Sequence, residues 1–155
     1  MPGLHVLLFA PEIAGNTGNI IRLCANTGSR LHLIEPITFE LDDVRLRRAG
    51  LDYHEYADVQ VHQSLQACRD ALDQPRIFAF SARATRSFAE PDYRDGDALL
   101  FGPESTGLSD PILAGLPAEL LVKIPKRPET RSLNLSNAVA VAVYEGLRQL
   151  DYPLG

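Results

Sequence analysis

The feature that most narrows the fold is a rhythm. Short apolar runs, too brief for buried helices, alternate with stretches of helical spacing. Residues 4–9 (LHVLLF), 31–34 (LHLI), 76–80 (RIFAF), 98–101 (ALLF) and 120–124 (LLVKI) have the length and near-continuous apolarity of strands covered on both faces. Val59 and Val61 mark one more short strand. Residues 18–27, 64–72 and 136–150 repeat their apolar positions at intervals of three and four, the period of a helix. Gly28 suits the end of the first of these, because glycine takes the left-handed C′ conformation without steric cost. A further short helix carries Arg45, Leu46, Arg47 and Arg48 behind Asp42 and Asp43 and stops at Gly50. Its acidic start and basic end suit the helix dipole. Strands alternating with helices predict an α/β fold: a mostly parallel sheet with helices on both faces. No repeat, low-complexity tract or linker divides the chain, and 155 residues suit a single domain, 1–155.

Composition excludes several classes. No basic region precedes an apolar stretch at the start, and no run reaches the roughly 18 apolar residues of a membrane span, so a cytoplasmic protein without membrane contact is expected. Cys24 and Cys68 form no disulfide framework and no CxxC motif, and Cys24 falls in an apolar helical run where a buried, inert thiol is the default. His5, His32, His54 and His62 are scattered without ligand spacing, so no metal site is expected. A net charge of −5 argues mildly against nucleic acid. The basic residues cluster nonetheless. Arg45, Arg47 and Arg48 form one group; Lys123, Lys126, Arg127 and Arg131 form another. Of the 15 basic residues 13 are arginine, the residue suited to bidentate phosphate contact.

Three polar loops follow strands. The first, NTGNIIR, holds Asn16, Asn19 and Arg22 and leads from strand to helix, so its amides could face an anion. The second, FGPESTGL, follows the strand at 98–101. Gly102 would let the backbone approach a ligand that a side chain would displace. The third runs from Ile124 through Arg131-Ser132-Leu133-Asn134-Leu135-Ser136-Asn137, with Asn134 or Ser136 placed to cap the last helix. Capping and turn chemistry could account for any one of these loops. All three, however, follow strands of one parallel sheet, where open α/β folds bind ligands. The second loop lacks the Gly-Lys-Ser/Thr of a phosphate-binding P-loop, and no GxGxxG follows the first strand, which argues against nucleotide hydrolysis and dinucleotide binding.

NTGNIIRLCANTG, RLRRAGLDYHEY, FGPESTGL and IPKRPETRSLNLSNAVAVAVYE, in that order, resemble the successive motifs of the SPOUT methyltransferase superfamily. Within it, the chain is most similar to the small TrmL (YibK-like) tRNA 2′-O-methyltransferases, over nearly its whole length. The resemblance implies what periodicity cannot: a deep C-terminal trefoil knot, a rare exception to the usual rules of chain connection. It implies S-adenosyl-L-methionine as cofactor, held by Phe80, Gly102, Ile124, Ser132 and Leu133. Phe80 stands where a smaller aliphatic residue is common. It implies tRNA as substrate, methylated on the ribose of the wobble nucleotide in the anticodon loop, a cytidine or modified uridine. Arg22, Asn16 and Asn19 are then the catalytic candidates; Arg45, Arg47, Arg48, Arg131, Asn134 and Asn137 are the substrate-binding ones. A homodimer is expected both from the resemblance and from the last helix, which is apolar almost all round through Val139, Val141, Val143 and Leu147. A rival reading keeps the fold without chemistry, as an RNA-binding module.

Overall fold

The structure, a computed structural model, describes residues 3–155. Its strands are β1 (His5–Phe9), β2 (Arg30–Ile34), β3 (Gln60–His62), β4 (Ile77–Phe80), β5 (Arg86–Ser87), β6 (Ala98–Phe101) and β7 (Leu121–Lys123). They form one seven-stranded sheet in the order β3-β2-β1-β6-β4-β7-β5, with every pairing parallel. The helices are α1 (Ala14–Thr27), α2 (Asp43–Arg48), α3 (Tyr53–Tyr56), α4 (Leu65–Ala71), α5 (Asp110–Ala114) and α6 (Leu135–Gln149).

Alternation along the strands sends side chains to two cores. Val6, Leu8, Leu33, Phe78 and Leu99 point to the face covered by α1 and α6, where Ile20, Ile21, Val139, Val143 and Leu147 meet them. Leu7, Ile34, Ile77, Ala79 and Leu100 point to the other face, against Cys68 of α4 and Ile112 of α5. Helices on both faces of a parallel sheet are what the alternating pattern predicts. The apolar wrap of α6 is consumed inside the chain. Val139, Val143 and Leu147 are fully buried, each contributing about 1.5–3 kcal/mol. They cannot form a dimer surface, and of the large hydrophobic residues of this helix only Val141 and Tyr144 remain exposed, at 43% and 45%.

Element boundaries follow local chemistry. Gly28 takes a φ of 68° and returns its N–H to Cys24, ending α1. Asp42 caps α2 through the Arg45 amide, and Asn134 caps α6 through Ser136 and Asn137. Two expectations need correction. Helix α1 starts at Ala14, not near Gly18, so Asn16 and Thr17 are helical and Arg22 lies more than two turns in. The histidines are not scattered in space: His5, His32 and His62 form a row across β1, β2 and β3. Burial, and then the neighbouring His5, push the His32 imidazole down to about 4, while burial alone pushes the Cys24 and Cys68 thiols up to about 12 and about 11.

Candidate active site

In a parallel sheet all strands end on one edge. That edge collects the loops after β1, β6 and β7, and a polar chain ties them together. Glu104, in the loop after β6, accepts from the amides of Glu12 and Ile13 at 2.8 Å each, and from Asn16 Nδ2 at 3.2 Å. Asn134 Nδ2, from the loop after β7, donates to Asn16 Oδ1 at 3.0 Å. The contact is reciprocated: Glu12 Oε1 accepts from the Ser105 amide at 2.8 Å and its hydroxyl at 2.7 Å. These bonds hold the Glu12 carboxyl below the usual carboxylate range. The free amides before α1 therefore do not await an external anion, since the chain's own carboxylate takes them. Asn16 is buried with both ends of its amide engaged, which makes it a tie between loops rather than an exposed reactive group.

The loop itself requires Gly102. A Cβ there would lie 2.4 Å from Gly107 C and 2.4 Å from Leu108 N, so a side chain collides with the returning loop before it meets any ligand. The loop closes on itself through Gly107 N–H to Pro103 O at 2.8 Å.

A cleft of about 400 Å³ opens beside this clasp, lined by Asn16, Asn19 and Arg22 of α1 with Ala49 and Leu51 opposite. Arg22 is half-exposed yet fixed. Its Nε donates to Glu55 Oε2 at 2.9 Å and its Nη2 to Gly50 O. Glu55 is itself set by a capping box: it accepts from the Asp52 amide, while Asp52 accepts from the Glu55 amide. Among the described residues, Nη1 of Arg22 has no partner, so one edge of the guanidinium is anchored and the other remains for a ligand. The Arg22 bond holds Glu55 below the usual carboxylate range, and Glu55 pushes Arg22 up. Neither group can take a proton near neutrality, so the geometry suits Arg22 to act as a charge and a donor, not as a base. Glu55 escaped the sequence reading, although the Asp52-x-x-Glu55 spacing of a capping box was its signal.

The cofactor candidates lie at or after the ends of β4, β6 and β7. Phe80 ends β4, Gly102 follows β6 and Ile124 follows β7, and these strands are adjacent. Phe80 stacks on Phe101 with ring centroids 4.5 Å apart, so the larger residue at this position is absorbed by an aromatic neighbour. Ser132 and Leu133 are exposed, and among the described residues their amides bond to no protein group. None of these five residues lines the cleft of Arg22. Of the RNA candidates, Arg45 is paired with Glu40 and Asp42, whereas Arg47, Arg48, Arg131 and Asn137 are exposed.

Residues 3–144 match the model of the SpoU rRNA methylase family. The chain is 55% identical to a tRNA (cytidine(34)-2′-O)-methyltransferase of Escherichia coli, over 97% of this chain and 96% of that one. The chain belongs to the SpoU methylase family. A solved family structure concerned with 2-OH methylation of C/U34 on tRNA superposes with a TM-score of 0.86 at 48% identity, covering 97% of this chain and 92% of that one. The SpoU methyltransferase AviRb of Streptomyces viridochromogenes, solved with AdoMet, shares the fold at a TM-score of 0.81 and 22% identity, over 97% of this chain and 58% of that one.

Proposed function

We propose that this SpoU methylase transfers a methyl group from S-adenosyl-L-methionine to the ribose 2′-hydroxyl of nucleotide 34 in the tRNA anticodon loop, a cytidine or modified uridine. The observation that carries this is near-full-length identity to enzymes named for that position, together with a site that fixes Arg22 and leaves one guanidinium edge free. When bound, S-adenosyl-L-methionine supplies an electrophilic methyl group without metal help. The backbones of Gly102, Ile124, Ser132 and Leu133, with Phe80 beside them, would hold it. The chain's task is then alignment, which can supply roughly 7–11 kcal/mol of a barrier. Arg22 holds the ribose–phosphate and stabilises charge developing on the 2′-oxygen as its proton passes to solvent water. Asn19, exposed in the same cleft, offers an amide to the ribose. Arg47, Arg48, Arg131 and Asn137 supply exposed donors for the RNA backbone.

Three further features belong to this reading. The C-terminal segment forms a trefoil knot, supported by β6 lying between β1 and β4 and by α6 packing back on α1 and β6. The enzyme is a homodimer, supported by Val141 and Tyr144 standing exposed on α6, and its proposed tRNA substrate places it in the cytoplasm. The deciding measurement is the mass of anticodon-loop fragments of tRNA after incubation with enzyme and cofactor. A single added methyl on nucleotide 34, resistant to alkaline cleavage at its 3′ side, is expected. Unmodified tRNA that nevertheless binds the protein would instead mark a non-catalytic RNA-binding module.

A further inference from the structure

On the sheet face opposite α1, three elements bring together side chains that the proposed methyl transfer does not use. His32 lies in β2, His62 in the neighbouring β3, and Cys68 in α4, which packs over both. His32 and Cys68 are 1% and 0% exposed, and His62 is half-buried. A ring nitrogen of each histidine and the Cys68 sulfur all lie within 4.8 Å of one another. His32 Nδ1 and His62 Nε2 are 2.9 Å apart. On its other side, His32 Nε2 is 3.1 Å from His5 Nδ1.

The geometry points to a zinc site formed by His32, His62 and Cys68, with His5 orienting the central ligand. Tetrahedral zinc with bonds of about 2.0–2.1 Å to nitrogen and about 2.3 Å to sulfur sets its ligand atoms roughly 3.3–3.6 Å apart. The cluster needs to tighten by about 1 Å from its widest spacing and to part the two imidazoles by about half an ångström. The donor set is also chemically selective. Two imidazoles and a thiol without a carboxylate suit zinc and disfavour magnesium or calcium, which take oxygen ligands. A proton on His32 Nε2, given to His5 Nδ1, leaves His32 Nδ1 bare toward His62 and Cys68. Ligating histidines normally have this outer partner, which fixes ring and tautomer. Binding requires His62 to carry its proton on Nδ1 and Cys68 to lose its thiol proton to solvent. Half-exposed His62 provides the entry, and water completes the fourth position.

The test uses the tag-free, metal-stripped full chain, titrated with zinc against a chromophoric chelator and, separately, with cobalt. One zinc per chain is expected, and the cobalt form should show a sulfur-to-metal charge-transfer band. Cys68→Ser and His62→Gln should each weaken binding at least about tenfold, and Cys68→Ser should lose the band; His5→Phe should weaken it by about tenfold. His54→Gln, which alters the histidine outside the cluster, should bind as the parent does. If Cys68→Ser does not melt cooperatively in chelator, half-buried His62→Gln decides. Less than one zinc per chain, unchanged affinity in His62→Gln, or an equal loss in His54→Gln overturns the site. Methyl transfer should be the same with and without zinc, so failure here and failure of the proposed reaction are separate results.

Discussion

Two loops at the same sheet edge are built in opposite ways. The loop after β6 is locked to the start of α1 by reciprocal carboxylates, Glu104 to Glu12 and Ile13, and Glu12 to Ser105. The segment 124–134 after β7 is exposed from Pro125 onward and is held mainly by its own short bonds, such as Lys126 Nζ to Thr130 O at 2.7 Å. Among the described residues, its one hydrogen bond to the locked part is at its last residue, Asn134. The contrast sets a fixed side against an adaptable one. Under the proposed reaction Arg22 sits beside the lock, whereas the free segment offers Arg131 to RNA and the Ser132 and Leu133 amides to the cofactor.

The sharpest way to break this contrast is at Arg22. Lysine keeps the charge but cannot hold Glu55 and Gly50 while presenting a free donor edge. Arg22→Lys should reduce single-turnover methyl transfer at least about a hundredfold, the scale for losing one donor at a developing oxyanion. Cofactor affinity by calorimetry should barely move. Near-parental turnover would remove Arg22 from the reacting centre and make the fixed side merely structural.

Next in size is the lock itself. Glu104→Ala strips the acceptor from two backbone amides and from the buried Asn16 amide. Hydrogen bonds to charged groups are worth about 1.5–3 kcal/mol each, and partial exposure allows water to recover some of this. A net loss of about 2 kcal/mol is expected, a fall of roughly 4–8 °C in melting temperature for a chain of this size. A melting temperature within a degree of the parent would show that the loops are not coupled through this carboxylate.

The smallest effect belongs to the free segment. Arg131→Ala should weaken tRNA binding only a few-fold and lower the slope of log affinity against log salt by about one. Melting temperature should be unchanged. A large loss independent of salt would mean that the segment reads its target by directed contacts.

Six of the seven strands were legible, five of them as short apolar runs between polar stretches, and fold class followed from their alternation; β5, Arg86–Ser87, holds no apolar residue and was missed. Strand order was not legible, because no local period says that β6 inserts between β1 and β4. The start of α1 was misread for a related reason. Gly15, Asn16, Thr17 and Gly18 are poor helix formers, and a carboxylate some ninety positions away, Glu104, satisfies the amides before them. Arg22 and the three loops could be picked out by composition and family motif. Glu55, the partner that aims Arg22, lies 33 positions downstream in a four-residue helix that no periodicity reveals. The histidine row is invisible for the same reason, its members being 27 and 30 positions apart.

The placement of β1 also has a consequence during synthesis. One edge of this strand pairs with β2, made soon after it, but the other pairs with β6 through His5–Ala98 to Leu8–Phe101. At roughly 5–20 residues per second, the ribosome leaves that edge uncovered for roughly 5–20 s while residues 10–97 are made. An open ladder on an apolar strand is a template for pairing with other chains. The nascent protein is therefore most vulnerable to aggregation before β6 emerges, and truncation anywhere upstream of Phe101 should give an insoluble product rather than a smaller folded one.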